Sequence, residues 1–88
     1  MLLRLSCSMA NVTRDFIEGV WKVAHDRTSR EYPFIQFALL VKYVLQQFPS
    51  ARPIDVQAAL EELAESGRID AREGFCPTSE IEVMRRYP

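Results

Sequence analysis

The cysteines and the single histidine of this chain are its first candidates for a nucleophile, a general base or a metal site: Cys7, His25 and Cys76. His25, followed by Asp26, is the one candidate for a general base, but it falls on the polar side of a predicted helix with no nucleophile near it in sequence. A structural zinc site normally takes four ligands, and these spacings match no metal motif. We therefore predict a solvent-exposed histidine, two ordinary thiols, no catalytic residue, and no bound metal or cofactor.

The composition is that of one ordinary globular domain. The 88 residues include 48% hydrophobic residues, and 11 Lys and Arg stand against 12 Asp and Glu, for a net charge of −1. Nucleic-acid-binding modules are usually strongly basic, and the common glycine-rich phosphate-binding motifs are absent. We expect a flexible lead-in over residues 1–11 and a single domain over 12–88. No run approaches the ~18 apolar residues of a membrane span, so a cytoplasmic location is the default.

The first predicted helix covers about Val12 to Thr28. Glycine in its middle, at position 19, costs roughly 1 kcal/mol relative to alanine, so we expect another element to pack closely against Gly19. Glu18 and Lys22 have the four-residue spacing of a helical ion pair. Apolar residues recur at three- and four-residue steps, which indicates one buried stripe. The stripe consists of Phe16, Ile17, Val20, Trp21 and Ala24.

A second helix is predicted from about Phe34 to Phe48, after a loop that ends at Pro33. Most of its circumference is apolar, and three of its apolar residues share the sector of its few polar side chains. Exposed apolar stripes on small domains mark interfaces, so this stripe predicts a homodimer. Alternatively, the N-terminal or the C-terminal segment of the same chain covers it. The stripe consists of Ile35, Leu39 and Tyr43, spaced i, i+4, i+8.

The third predicted helix, about Pro53 to Ser66, has an apolar face and an acidic face. Gly67 is well placed as its left-handed C-terminal stop. The acidic face has two interpretations: a solvated surface that keeps a small domain soluble, or a docking site where charge speeds encounter with a basic protein partner. The buried side consists of Val56, Ala59, Leu60, Leu63 and Ala64. The candidate partner-binding residues are Asp55, Gln57, Glu61, Glu62 and Glu65.

The remaining residues predict a hairpin and a short final helix. Arg68 to Arg72 alternates like a strand, Glu73-Gly74 can turn it, and Phe75-Cys76 can return alongside. The segment 78–87 is ambiguous, because its centre alternates like a strand while a serine at 79 and a glutamate three residues later form a capping-box pattern. The capping pattern favours a short C-terminal helix.

Three helices, then Val56-x-x-Ala59-Leu60-x-x-Leu63-x-x-x-Gly67-x-Ile69, then a hairpin, resemble the winged-helix superfamily over residues 12–76. The resemblance implies that residues 52–62 hold the recognition-helix position and that 68–76 form the wing. A recognition helix in a major groove usually offers basic or amide side chains to bases and phosphates. Here four carboxylates would approach a polyanion, which would repel them.

We therefore predict a mostly helical α+β fold: a three-helix, winged-helix-like domain with a short β-hairpin wing and a short C-terminal helix. Its predicted function is a non-catalytic protein-interaction or regulatory module, dimeric, without membrane contact. The alternative function is a DNA-binding transcriptional regulator that contacts phosphates through arginines of the turn, the wing and the C-terminus. These are Arg52, Arg68, Arg72, Arg85 and Arg86.

Overall fold

The computed structural model describes residues 12–84, and in this range the chain forms three helices and one antiparallel sheet of three short strands. The mixed α+β class is thus confirmed. The predicted lead-in over residues 1–11 lies outside the described residues. In chain order the elements are α1 (Arg14–Asp26), β1 (Phe34–Gln36), α2 (Phe37–Gln47), α3 (Pro53–Glu65), β2 (Ile69–Asp70) and β3 (Glu80–Val83).

Helix α1 begins with a side-chain cap and packs closely against the end of α2. The Thr13 hydroxyl accepts a hydrogen bond from the backbone N–H of Phe16 at 3.1 Å, which satisfies one of the unpaired donors of the first turn. A Cβ on Gly19 would collide with the ring of Phe48, so the expected close approach is confirmed. The Phe48 ring also meets Phe16 edge to face, with centroids 5.2 Å apart.

The segment predicted as one helix from Phe34 is divided into β1 and α2. Phe34, Ile35 and Gln36 are extended and pair with β3, and the helix starts only at Phe37. Ile35 is buried opposite Ile81 in that pairing. Local periodicity cannot separate a short buried strand from a helical turn, which explains the misassigned start.

Helix α3 has the predicted extent and the predicted stop. Arg52 precedes it in an extended conformation and Pro53 occupies its first turn, where no backbone donor is needed. Gly67 follows with φ of 80°, in the left-handed region where glycine is favoured. The N–H of Arg68 then donates to the carbonyl of Leu63 at 2.9 Å, which closes the helix end.

Strand β3 occupies the centre of the sheet, in the order β1-β3-β2. It runs antiparallel to both neighbours, with Ile35 opposite Ile81 and Ile69 opposite Val83. The predicted return strand at Phe75-Cys76 is therefore wrong, because the chain first makes a longer connection over residues 71–79.

The predicted C-terminal helix over residues 78–87 is also wrong as far as the described residues extend. The Ser79 hydroxyl, instead of capping a helix, accepts from the N–H of Cys76 at 3.2 Å and donates to the carbonyl of Glu73 at 3.3 Å. Ile81 and Val83 are fully buried on one face of the strand. Burial of this alternating pair against the helices outweighs the local capping signal.

The core lies between the three described helices and the inner face of the sheet. Each element contributes side chains to it, and the outer face of the sheet carries mostly charged residues. The largest fully buried side chains are Leu40, Leu60, Leu63, Ile81, Val20, Val44, Val56 and Val83. Because all three described helices pack on this one core, their surface side chains are held in fixed relative positions.

The contact between Gly19 and Phe48 generates a stability prediction. Gly19→Ala should lower the free energy of unfolding by about 1–2 kcal/mol, because the Phe48 ring must leave its place against Phe16. In a Phe48→Leu background the same substitution should be neutral or stabilising, since alanine favours a helix over glycine by roughly 1 kcal/mol. Urea denaturation of the four proteins measures both effects, and equal destabilisation in both backgrounds would contradict the contact.

Candidate interaction surfaces

The outward face of α3 presents carboxylates to solvent. Glu61, Glu62 and Glu65 are exposed, and Gln57 beside them is half-buried. The Gln57 amide donates to the Glu61 carboxylate at 3.3 Å. No side chain among residues 12–84 forms an ion pair with Glu62 or Glu65. The structure thus brings four of the five predicted partner-binding residues together on one accessible face.

Asp55 does not belong to that face, contrary to the prediction. It is only 3% exposed, because its carboxylate turns back to the start of α3. There it accepts from the backbone N–H of Arg52 at 3.0 Å and lies 3.3 Å from the Arg52 guanidinium. A carboxylate in the first turn satisfies exposed backbone donors and complements the helix dipole. Asp55 therefore positions α3 and is unavailable to a partner.

A groove of about 410 Å³ lies between α3 and the chain that follows it. Glu61, Glu65 and Asp70 contribute carboxylates to its lining, and Ile69 and Phe75 contribute apolar surface. The Phe75 ring packs edge to face on the core residue Phe37, with centroids 5.7 Å apart. The acidic face thus continues into a partly apolar recess.

Among the predicted phosphate-binding arginines that the structure describes, Arg68 makes the most extensive contacts. Its guanidinium donates to both oxygens of Glu18, at 2.8 and 3.0 Å, and lies over the Trp21 ring at 4.8 Å from the centroid. The hydrogen bond lowers the pKa of Glu18 and raises the pKa of Arg68 from their ordinary values. Arg68 thus joins β2 to α1, and binding a phosphate would require breaking this bidentate pair.

The other predicted arginines are divided between exposed pairs and the end of the chain. Arg72 lies 3.5 Å from both Asp70 and Glu82, and Arg52 contacts Asp55 as described above. The side chains of Arg72 and Arg52 remain 70% and 64% exposed. Arg85 and Arg86 lie outside the described residues. No described arginine on α3 or its flanks lacks a carboxylate partner of its own chain.

The apolar stripe predicted on the second helix is only partly present. Ile35 is buried in β1 and contributes to the core, so the three residues do not share a helix face. Leu39 is 40% exposed on α2, and Tyr43 is half-buried beneath the Arg27 guanidinium, 4.0 Å from the ring centroid. All three line one side of a groove of about 610 Å³, together with Tyr32, which is 60% exposed. Tyr32 was missed because it lies in a loop outside any periodic pattern.

The described residues with possible catalytic or metal-binding chemistry are exposed at the surface. Within the part of the chain that the structure describes, no group of three or more His, Cys, Asp and Glu could hold a metal ion. His25 is exposed, with its ring 5.6 Å from the Trp21 ring, and Cys76 is an exposed thiol. Cys7 lies outside the described residues. No helix within residues 12–84 is long and apolar enough to cross a membrane.

Comparison with known proteins gives no relative from which to transfer a function. No protein-family model, no curated protein and no solved structure matches the chain. The surfaces described above are therefore the basis for inferring a function.

The pair between Glu18 and Arg68 generates a prediction about acid stability. The pKa of Glu18 is lowered in the folded chain. The pair's contribution to the free energy of unfolding is therefore fully present at a pH above the ordinary carboxyl pKa. The contribution is lost as the pH falls through the lowered value. Arg68→Gln should raise the pKa of Glu18 toward its ordinary value and flatten the loss of stability in acid.

Carboxyl NMR titration and acid denaturation of the wild type and the variant measure these two effects. Arg72→Gln is the matched control, because Arg72 pairs with Asp70 and Glu82 instead of Glu18 and its own side chain is more exposed than that of Arg68. A Glu18 pKa that is the same in Arg68→Gln and in the wild type would contradict the assignment.

Proposed function

We propose that this chain is a non-catalytic, winged-helix-like regulatory module that binds a basic protein partner through the outward face of α3. The arrangement of three helices followed by β2 and β3 supports the winged-helix part of the proposal, since a hairpin after the third helix is what the resemblance implies. One observation carries the partner class. The carboxylates of Glu62 and Glu65 are exposed and lack an ion pair within residues 12–84, whereas the arginines nearby are held by acidic residues.

Electrostatics favours a basic partner on this face. Exposed carboxylates that lack a cation gain favourable energy when a partner supplies one, and their field speeds encounter with a positive surface. Charge alone gives little net affinity at an exposed surface. The adjoining groove adds apolar contact through the half-buried Phe75, which is the kind of surface that a partner's anchoring side chain buries.

DNA binding is the second candidate function, and the exposure of two arginines is the observation in its favour. Arg52 and Arg72 are largely exposed and could exchange their own carboxylates for phosphates. The exchange would release carboxylates beside the polyanion, including the buried Asp55, which would keep its backbone hydrogen bond and lose its only cation within residues 12–84. Contacts to phosphates alone would also confer little sequence discrimination. The arrangement therefore favours the protein partner.

A DNA-binding measurement separates the two candidates. We expect a labelled mixed-sequence duplex to show no binding by fluorescence anisotropy, even at low salt, because the exposed face of α3 repels phosphate. Strong binding that weakens steeply with salt would favour the DNA function. Each neutralised phosphate lowers the logarithm of the affinity by about 0.9 for every tenfold rise in salt concentration. Loss of that binding in Arg52→Ala and Arg72→Ala would assign it to the turn and the hairpin.

A peptide selection tests the protein-partner function directly. A random peptide library displayed on phage and selected on the whole chain should enrich peptides rich in Lys and Arg with at least one apolar residue. Glu65→Lys should weaken their binding roughly tenfold or more, as one close charge pair becomes a repulsion. Lysine in the last turn of a helix complements the helix dipole, so this variant should remain folded.

Glu31→Lys is the matched control, because it makes the same charge change in the exposed loop between α1 and β1. The selected peptides should bind this control like the wild type, apart from a small effect of net charge. Enrichment of acidic peptides, or equal weakening by the two variants, would contradict the proposal.

A further inference from the structure

We propose that two copies of this chain associate through the outer edge of β1 and the groove beside it, so that their β1 strands pair antiparallel about a two-fold axis. Among residues 12–84, the order β1-β3-β2 leaves β1 at an edge of the sheet. Unpaired strand edges are templates for pairing with another chain. An antiparallel pair of identical strands is symmetric about a two-fold axis, so the second copy can use the same surface.

The hydrogen-bond pattern shows which backbone groups of β1 face outward. The N–H of Val83 donates to the carbonyl of Pro33 and the N–H of Phe37 donates to the carbonyl of Ser79, both at 2.8 Å. Inward and outward positions alternate along a strand, so Ile35 bonds to β3 while the N–H groups of Phe34 and Gln36 point away from it. The carbonyl of Phe34 is an outward acceptor for the same reason. Phe34 can therefore exchange two hydrogen bonds with Phe34 of a second copy.

Apolar side chains beside this edge supply contact that three strand residues alone would not. All three residues of β1 line the groove of about 610 Å³. Tyr32 and Leu39, two of the most exposed large hydrophobic side chains within residues 12–84, line it as well. The Tyr32 ring packs edge to face on Phe34, with centroids 5.8 Å apart. An edge strand and exposed apolar side chains thus occur on one continuous surface.

The charges at this groove are complementary to a second copy of itself. Three charged residues line the groove: Asp26, Arg27 and Glu80. Asp26 lies 3.9 Å from Lys22 of its own chain, whereas Arg27 and Glu80 have no ion-pair partner within residues 12–84. A two-fold axis places each residue of one copy against a different residue of the other, reciprocally. Arg27 of each copy is assigned to Glu80 of the other, which gives two equivalent ion pairs per dimer. A partner of one dominant charge would satisfy only one of the two residues.

This self-association is independent of the partner proposed for α3. No α3 residue lines the groove, so the dimer leaves Glu61, Glu62 and Glu65 accessible. The predicted homodimer is retained here with a different surface: Leu39 and Tyr43 still contribute, but the backbone of β1 replaces the helical stripe that Ile35 was expected to complete.

Gln36 allows a test that removes one outward hydrogen-bond donor and leaves the inner pairing intact. Its φ is −65° and its side chain makes no capping hydrogen bond, so proline fits this position without strain. Analytical ultracentrifugation from low micromolar to near-millimolar concentration should show a wild-type dimer. With Phe34 opposite Phe34, the N–H of each Gln36 faces the Tyr32 carbonyl of the other copy, which also accepts from its own Ser29 N–H. Gln36→Pro removes this donor twice, so the dissociation constant should rise roughly tenfold. Gln36→Ala keeps the donor and should dimerise like the wild type.

A charge exchange tests the two-fold pairing. Arg27→Glu and Glu80→Lys should each weaken the dimer, and the double variant should recover most of the wild-type affinity because the pairs are reversed and not lost. Thermal unfolding of each variant separates a lost interface from a lost fold. A wild type that is monomeric throughout the concentration range would overturn the inference. A dimer that is insensitive to Gln36→Pro and to the exchange would also overturn it.

These outcomes are distinguishable from those for α3. Peptide binding by a monomeric chain would remove the dimer and leave the interaction function in place. A dimer that fails to bind basic peptides would leave the self-association in place and remove the partner proposed for α3.

Discussion

The pairing of β3 with both of its neighbours is the constraint on which the described surfaces depend. Ile81 and Val83 are buried against the helices, and their backbones hold β1 on one side and β2 on the other. Because β1 continues directly into α2, this pairing sets where α2 begins. Because β2 follows α3, the same pairing fixes the chain beside the acidic face. A strand of four residues thus positions both grooves, although neither is lined mainly by its own side chains.

The charged residues show a second principle, which is that local spacing and tertiary contact compete for the same partner. Glu18 and Lys22 have the spacing of an ion pair, but Glu18 binds Arg68, fifty positions along the chain, and Lys22 lies 3.9 Å from Asp26. A bidentate guanidinium pair over an aromatic ring is stronger than an exposed helical pair. Arginines whose positions in the turn and the wing suggested phosphate contacts are in this way paired within the molecule, while carboxylates of α3 remain at the surface.

The sequence was sufficient for features whose signal is local. The stripe containing Phe16 and Val20 predicted α1, and Gly67 marked the end of α3. It was insufficient where a distant strand decided the outcome. Residues 34–36 and 80–83 each carried a helical signal, and both became strands because they pair with each other. The same limit affected the sites: most of the acidic face was predictable from spacing, whereas the burial of Asp55 and the edge position of β1 required the fold.

The contact between Arg68 and Trp21 has a practical consequence. Trp21 is the single tryptophan of the sequence, and its half-buried indole lies beneath the cation that joins α1 to β2. A cation over an indole ring alters its excited state, so the emission of this fluorophore depends on whether Arg68 is in place between Trp21 and Glu18. The groove beside β1 is lined by other residues. The chain therefore contains an intrinsic fluorescent probe of the contact between α1 and Arg68. This probe needs no attached dye and lies apart from the surface assigned to a second copy.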